Sequence, residues 1–534
     1  MEHAPRSVVL DASPLSPTAV AQAARHGATV VLADAARRQI EASRQRLESV
    51  LGDGLAHYGV NTGFGSFSRQ RIAPGDLQDL QHNLIRSHAA GVGSPLRPDI
   101  VRGMMLLLAA SLSRGLSGVR LSTVEALVAA LNWRGRGGEF FVPVVPETGS
   151  CGASGDLAPL AHVILSLMGE GEVFVAPVSS AGHWSDTPPK SRPAREALAL
   201  AGLGPIRLEA KEGLALINGT HLMAARAALL VGDFEQLFDA ALTAAAMSID
   251  ACRATDAFLD DRVFMARAQP GARRIAQRLR ELLDGSEIVR SHVENDPRVQ
   301  DPYSLRCCPQ VLGGAWDLFE YVRAAAAREL GAVTDNPLVF AADEPSRGEI
   351  VSAGNFHGMP IALPLDSLSL SIAHVAGIAE RRIAHIMAAG AGEDLEAHLP
   401  AFLSPKSGLH SGFMIAHYTA AACCNEIVGL TMPASVSNFT TSAGMEDYNS
   451  WGPRSAAKAE RALTLARQVV SIELLCAAEG IEHHRPLKSG APIERAHAAI
   501  RRVVPRLVAD RSPAPDIAAI ESLILAGTFN LTEK

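Results

Sequence analysis

The stretch with the most chemical potential is Gly149-Ser150-Cys151-Gly152-Ala153-Ser154-Gly155-Asp156-Leu157-Ala158-Pro159-Leu160. A serine among glycines first suggests a hydrolase nucleophile. The elbow pattern G-x-S-x-G, however, requires glycine two residues after the serine, where this chain has Asp156. As local structure the stretch reads as a tight turn, since glycine tolerates the dihedrals turns need. A further chemistry is open to Ala153-Ser154-Gly155. If the backbone is held bent, the Gly155 nitrogen can attack the Ala153 carbonyl, and glycine places no side chain in the way. Loss of two waters, one taking the Ser154 hydroxyl, leaves a five-membered ring with an exocyclic methylidene. That methylidene-imidazolone is an electrophile no ordinary side chain supplies. The tripeptide alone is common and proves little.

Other residues offer conventional chemistry. Tyr58 lies in the glycine-rich Tyr58-Gly59-Val60-Asn61-Thr62-Gly63-Phe64-Gly65, a segment able to act as a lid. A phenol, which titrates near 10, needs its surroundings to lower that value before it serves as a base at neutral pH. Tyr303 and Arg306 are three apart and share a face if locally helical. An arginine there offers a planar fork for a carboxylate; an isolated arginine more often makes a surface ion pair. Glu482-His483-His484 matches no common zinc spacing, so no metal is expected. Phosphate-binding and dinucleotide glycine motifs are absent from the sequence.

Taken in order, these segments resemble the histidine, phenylalanine and tyrosine ammonia-lyase and aminomutase family over roughly residues 50 to 490. Residues 152–160 look like its cofactor-forming signature and residues 58–65 like its inner lid loop. Asn83-Leu84-Ile85-Arg86-Ser87-His88-Ala89-Ala90-Gly91, Glu212-Gly213-Leu214-Ala215-Leu216-Ile217-Asn218-Gly219-Thr220 and Val299-Gln300-Asp301-Pro302-Tyr303-Ser304-Leu305-Arg306 follow. Asp335-Asn336-Pro337-Leu338, Gly354-Asn355-Phe356-His357-Gly358 and Ser411-Gly412-Phe413-Met414 complete the set. The resemblance implies a methylidene-imidazolone made from Ala153, Ser154 and Gly155, with no external cofactor. It implies Tyr58 as the base, Tyr303 near the substrate amine and Arg306 on its carboxylate. Asn218 and Gln300 supply amide hydrogen bonds, His88 and Glu446 face the substrate, and Phe356 packs by the ring. The implied reaction bonds the amine nitrogen to the electrophile while Tyr58 takes the β-proton, releasing an α,β-unsaturated acid and then ammonia; a route in which the aromatic ring itself attacks the electrophile stays open. The related fumarase-like lyases carry a flexible Gly/Met/Pro/Lys serine loop, a pattern missing from Ser442-Ala443-Gly444-Met445-Glu446-Asp447.

Glu446 bears most on the substrate. Family members acting on phenylalanine or tyrosine look like Asn-Gln-Asp there, and histidine ammonia-lyases look like Gln-Glu-Asp. A carboxylate can pair with an imidazole N–H but gains nothing against a phenyl ring. Asp301-Pro302 and Ser87-His88 also resemble the histidine branch, so L-histidine going to urocanate and ammonia is expected. Tyrosine or phenylalanine elimination, or a 2,3-aminomutase that re-adds the ammonia, stays open. Departures weigh on that side: Met445 and Tyr448 replace the expected Gln and His, Met359 stands where Glu or Gln is usual, and Cys424-Asn425-Glu426 differs from Ser-Glu-Asn.

The elements that must position these groups are mainly helical. Leu365, Leu368, Ile372, Val375, Ile378 and Ile386 fall on one helix face. Residues 222–250, rich in Ala and Leu, read as a long buried helix, and a third runs from about Ser455 to Ala478. Phe140-Phe141-Val142 and Glu172-Val173-Phe174-Val175 read as strands, residues 177–193 as a loop, and Ser512-Pro513-Ala514-Pro515 as a turn. The fold class expected is mainly α: a long-helix bundle core of the fumarase/aspartase-like kind with a smaller mixed α/β N-terminal part. The division expected is residues 1–220, carrying the lid and the Ala-Ser-Gly, and a helical core domain over 221–534.

The 534 residues, 48% hydrophobic and 20% charged, suffice for a large core. With 49 basic and 56 acidic residues, a formal charge of -7 and no basic block, neither nucleic acid nor an anionic membrane is an expected partner. Gly103–Ala110 is too short to span a bilayer and reads as a buried helix. Seven cysteines without CxxC spacing, and no signal-like apolar run after Met1–Arg6, point to reduced thiols in the cytoplasm. Ala-rich helices pack into bundles, often across subunits; the resemblance implies a homotetramer with shared active sites acting on a small amino acid.

Overall fold

The computed structural model describes residues 7–530 except Gly52, Gly54, 179–188, Asn295, Pro297, 342–348 and 389–398. The chain divides into two compact units, each assembled from separated stretches of sequence. The first comprises Met1–Val231, Arg323–Leu365 and Ala434–Ala457, the second Gly232–Val322, Asp366–Pro433 and Lys458–Lys534.

The first unit is the mixed one. Val8–Leu10 pairs in parallel with Val30–Leu32, and Glu139–Pro143 pairs antiparallel with Glu172–Pro177. Both strands expected around 140–142 and 172–175 are therefore present. The loop expected over 177–193 is shorter at both ends, because Arg192–Pro193 adds a third strand beside Glu172 and Val173; its centre lies outside the described residues. At the middle of this unit runs the helix Pro98–Leu112, opened by proline at a position that needs no N–H donor. All 15 of its residues are buried, as its all-round apolar pattern requires. Gly103 lets it approach Ala225 closely, since a Cβ there would stand 3.1 Å from the alanine Cβ.

That helix buries two ionisable side chains, Asp99, which pairs with Arg25 and Arg97, and Arg102. Arg102 is fully buried and has no carboxylate partner; it donates to the Ala23, Ala24 and Leu131 carbonyls at 2.7–3.0 Å. Those carbonyls end the helices Pro17–Arg25 and Leu121–Asn132, where backbone acceptors lack partners and the helix dipoles favour a cation. The guanidinium also lies 4.3 Å from the Phe140 ring centre. Burial nevertheless pushes its pKa well down. Arg102→Met should therefore lower stability by about 3 kcal/mol, because three buried acceptors lose their donor. Urea unfolding of the variant would measure this, and an unchanged midpoint would refute it.

The second unit is helical among the described residues. It contains Pro270–Leu283, Met414–Leu430, Ala491–Val503 and Ala514–Leu525, together with parts of four long helices. Those four are His221–Ala251, Cys308–Glu329, Met359–Ala388 and Gly452–Glu482, so the helices expected over 222–250, 365–387 and 455–478 each run slightly longer. The turn expected at 512–515 is cut short, because Ala514 opens a helix with Pro515 in its first turn. Phe234, Phe238, Trp316 and Phe319 form one aromatic cluster with ring centres 4.4–5.7 Å apart. Fully buried Arg382 pairs with fully buried Glu473, which also accepts from the Ser248 hydroxyl at 2.7 Å. Met359–Ala388 is long and apolar enough to cross a membrane by length and composition; 67% of its apolar window is buried within the protein, as in a core helix.

The mainly helical fold with a smaller mixed part is thus observed. All seven cysteines are free.

Candidate active site

Ala153-Ser154-Gly155 lies at the mouth of the helix Leu157–Leu167, held by glycine geometry that no other residue could reproduce. Gly155 has φ +76, and a Cβ on it would stand 2.2 Å from the Gly219 carbonyl oxygen. The approach is that close because the Asp156 N–H donates to the same oxygen at 2.7 Å. On the other side, the Ser450 hydroxyl donates to the Gly152 carbonyl at 2.9 Å and the Trp451 N–H to the Cys151 carbonyl at 2.9 Å. The tripeptide is therefore clamped from two directions.

Asp156 anchors this clamp. Its carboxyl accepts from the Leu222 and Met223 N–H groups, 2.9 and 3.1 Å away, at the start of the helix His221–Ala251. The Ser150 hydroxyl lies 3.1 Å from both this carboxyl and the Gly155 carbonyl. Complete burial raises the Asp156 pKa to about 7 despite those hydrogen bonds, which pull it down.

Two contacts fall on Ser154 itself. Its hydroxyl is 2.6 Å from Glu446 Oε1, and its carbonyl accepts from Asn218 Nδ2 at 2.7 Å. The other Glu446 oxygen accepts from the Thr441 hydroxyl at 3.1 Å. The loop carrying Glu446 turns so tightly that Ser442 and Ala443 both take positive φ, a strained choice for residues with side chains.

These groups open onto a cavity of about 960 Å³ that lies wholly within the first unit. Tyr58, His88, Ala153, Ser154, Asn218, Phe356 and Glu446 all line it, so seven of the eleven expected site residues meet in one place. The Tyr58 hydroxyl accepts from the Gly65 N–H at 3.3 Å, across its own glycine-rich loop. His88 ends the helix Leu77–His88, and its Nδ1 sits 2.9 Å from the Leu84 carbonyl, which makes Nδ1 the protonated nitrogen. Burial lowers its pKa, against smaller upward pulls from that carbonyl and from Glu446.

Gln300, Tyr303 and Arg306 do not line this cavity. They belong to the second unit and gather there as a group of their own. The helical turn Tyr303–Arg306 puts both side chains on one face as expected, with the guanidinium 4.5 Å from the Tyr303 ring centre. Arg306 donates to Gln300 Oε1 at 2.6 Å and to the Asp301 carbonyl at 2.9 Å, while Tyr303 is 70% exposed.

Sequence reasoning had passed over several lining residues. Asn336 enters the cavity and fixes its wall by accepting from the Ala353 N–H at 2.6 Å and donating to Ser352 at 3.2 Å. The Asp335-Asn336-Pro337 motif was the available signal for it. Thr441, which holds Glu446, had none. Of the departures noted in sequence, Met445 and Tyr448 line the cavity, whereas Met359 and Cys424 do not. No cluster of metal-ligating side chains occurs among the described residues.

A mainly helical fold whose cavity brings Ala153 and Ser154 together with Tyr58 and Glu446 accords with a carbon–nitrogen lyase. The family model for aromatic amino acid lyases matches residues 15–502, and the chain belongs to that family. It is 45% identical over 526 residues to the histidine ammonia-lyase of Anaeromyxobacter sp. (strain K), covering 98% of this chain and 100% of that protein. The crystal structure of histidine ammonia-lyase from Trypanosoma cruzi superposes with a TM-score of 0.86 at 38% identity, covering 98% of this chain and 94% of that one. Tyrosine aminomutase from Streptomyces globisporus superposes at 0.87 with 31% identity, covering 98% of each chain. The protein is an ammonia-lyase acting on a small amino acid.

Proposed function

We propose that this enzyme eliminates ammonia from L-histidine to give urocanate, using a methylidene-imidazolone formed from Ala153, Ser154 and Gly155. The residues present fit that group. Ring closure needs the Gly155 nitrogen turned toward the Ala153 carbonyl, and the clamped positive-φ glycine provides a bent backbone with no Cβ. The Ser154 carbonyl oxygen is the one oxygen of the tripeptide's ring atoms that survives dehydration, and Asn218 donates to it. Once made, the group supplies an electrophilic carbon for the substrate's amine nitrogen.

The chain's own side chains do the rest. Tyr58 accepts the β-proton at its phenolic oxygen, which already faces the cavity. Asn218 keeps the ring carbonyl polarised, and Phe356 provides an apolar wall. His88, with its Nδ1–H occupied by the Leu84 carbonyl, turns Nε2 to the substrate. The preference for histidine rests on one observation: Glu446 puts a carboxylate against Ser154 in a cavity whose lining also includes Phe64, Phe67, Leu80 and Leu84. An imidazole N–H can answer that charge, and a phenyl ring cannot. The relatives named histidine ammonia-lyases support the same choice.

Gln300, Tyr303 and Arg306 supply the carboxylate and amine contacts. Because they lie outside the cavity lining, with Gln300 and Tyr303 exposed and Arg306 half-buried, we assign them to the active site of another copy of the chain in a homotetramer. Seven cysteines outside any disulfide fit a cytoplasmic enzyme.

Purified enzyme offered L-histidine, L-tyrosine and L-phenylalanine separately should form urocanate alone, followed in the near ultraviolet. Normalised to the chains that carry the methylidene group, Glu446→Ala should cut kcat/KM for histidine by roughly 10- to 100-fold, the worth of one hydrogen bond to a charged group. Cinnamate or coumarate as the product would overturn the histidine assignment. The aminomutase reading is favoured by the tyrosine aminomutase likeness; a β-amino acid accumulating without free ammonia would establish it.

A further inference from the structure

Before a substrate is ever bound, the Ser154 hydroxyl has to leave. Hydroxide is a poor leaving group, so its departure needs an acid within hydrogen-bond reach. The Ser154 hydroxyl lies 2.6 Å from Glu446 Oε1. This separation is typical of an oxygen–oxygen bond assisted by charge.

We infer that Glu446 is the acid that carries the dehydration of Ser154, so that one carboxyl first builds the electrophile and only afterwards faces substrate. The inference rests on the methylidene-imidazolone reading above. The step balances as follows. The Gly155 nitrogen bonds to the Ala153 carbonyl carbon; the oxygen of that carbonyl leaves as the first water with the protons of the Gly155 and Ser154 N–H groups, and the Ala153 carbon and Ser154 nitrogen become doubly bonded. The Ser154 Cα–H bond then gives its electron pair to a Cα=Cβ double bond, and the Cβ–Oγ bond breaks with its pair going to oxygen. Glu446, as the carboxylate, takes the proton lost from Cα and passes it to that oxygen, giving the second water and returning the carboxylate.

The surroundings of Glu446 suit a fixed proton carrier. Oε2 is tied to the Thr441 hydroxyl, which leaves Oε1 directed at Ser154. Backbone bonds in both directions between residues 441 and 446, at 2.9 and 3.3 Å, close the loop behind it. The strained Ser442 and Ala443 then have a purpose, since a relaxed turn would not return the chain so sharply. Once water has gone, Oε1 has lost its partner and is available to an imidazole N–H. Tyr58 makes no hydrogen bond to Ser154; its phenol contacts Gly65.

The test is the intact mass of freshly synthesised, full-length chain, followed in time by electrospray together with near-ultraviolet absorbance. Neither readout depends on turnover. Wild type should become lighter by two waters. Glu446→Gln keeps a hydrogen-bonding side chain but cannot donate an acidic proton, and should lose the second water on the order of 10²- to 10⁴-fold more slowly, accumulating a species lighter by only one. Tyr58→Phe should mature like wild type while turning over roughly 10²- to 10⁴-fold more slowly. Loss of both waters by Glu446→Gln at the wild-type rate would overturn the inference and leave the proposed function standing. Wild type that keeps its full mass would instead remove the methylidene-imidazolone reading, and this inference with it. Circular dichroism checks that Glu446→Gln is folded. Should it not be, Thr441→Val, which unties Oε2, should slow the second loss severalfold, and an unchanged rate would count against the proposal.

Discussion

Replacing Ser154 with alanine should abolish turnover, by roughly 10⁶-fold, the scale seen when the reacting group of a covalent catalyst is deleted. The substitution removes only Oγ. Asn218 donates to the backbone carbonyl of residue 154 and the clamps on Cys151, Gly152 and Asp156 are also backbone contacts, so the site should keep its shape. The loss of the 2.6 Å contact with Glu446 should cost stability about 1 kcal/mol at most. What disappears is the means of making a methylidene. Tyr58→Phe is the informative contrast. It removes a base and leaves the electrophile, so its deficit should be smaller, roughly 10²- to 10⁴-fold in kcat. The check is the rate of unsaturated-acid formation for both variants beside wild type, with thermal unfolding showing that each is folded. Ser154→Ala within tenfold of wild type would mean that another group provides the electrophile. Equal deficits for the two variants would mean that they act as one inseparable unit.

The parts of this site that sequence made legible are those whose logic is local. Ala153-Ser154-Gly155 carries its chemistry within three residues, and Tyr303 and Arg306 share a face because a helical turn brings residues three apart together. Long helices such as His221–Ala251 and Gly452–Glu482 announce themselves by composition and periodicity, although their ends extend past the periodic stretch. The contact between Ser154 and Glu446 joins residues 292 apart, and no spacing rule reaches that far. Glu446 was found through the ordered motifs, whereas Thr441 holds it through a turn whose sequence, Ser442-Ala443-Gly444, looks ordinary. Gln300, Tyr303 and Arg306 show the opposite case: their mutual geometry was readable, while their location away from this chain's cavity was not. The two departures that reach the cavity, Met445 and Tyr448, are 60% and 61% exposed there. They can adjust to a ligand without disturbing the buried clamp, so they bear on the substrate more than on the elimination.

Lys211→Met should be the most destabilising single change near the site, by about 3–5 kcal/mol, because it strands a buried carboxylate. Lys211 is completely buried in the left-handed region, with φ +73, just before the helix Glu212–Ile217. Its Nζ lies 2.6 Å from Asp335, whose side chain is 2% exposed. Burial lowers the lysine pKa, and the Asp335 carboxylate beside it opposes that fall. The other Asp335 oxygen accepts from the Asn336 N–H at 2.6 Å, and Asn336 forms part of the cavity wall. An unpaired Asp335 would therefore disturb the wall as well as the core, and KM should rise more than kcat falls. Pairing Lys211→Met with Asp335→Leu removes both charges and should restore much of the lost stability, since a buried ion pair replaced by apolar groups is often close to neutral. It should not restore KM, because the anchor on Asn336 is gone. Unfolding free energies for the two single variants and the double variant would give the coupling directly. If the losses are simply additive, the pair is not an energetic unit, and the position of Asn336 must be set by Ser352 and Ala353 alone.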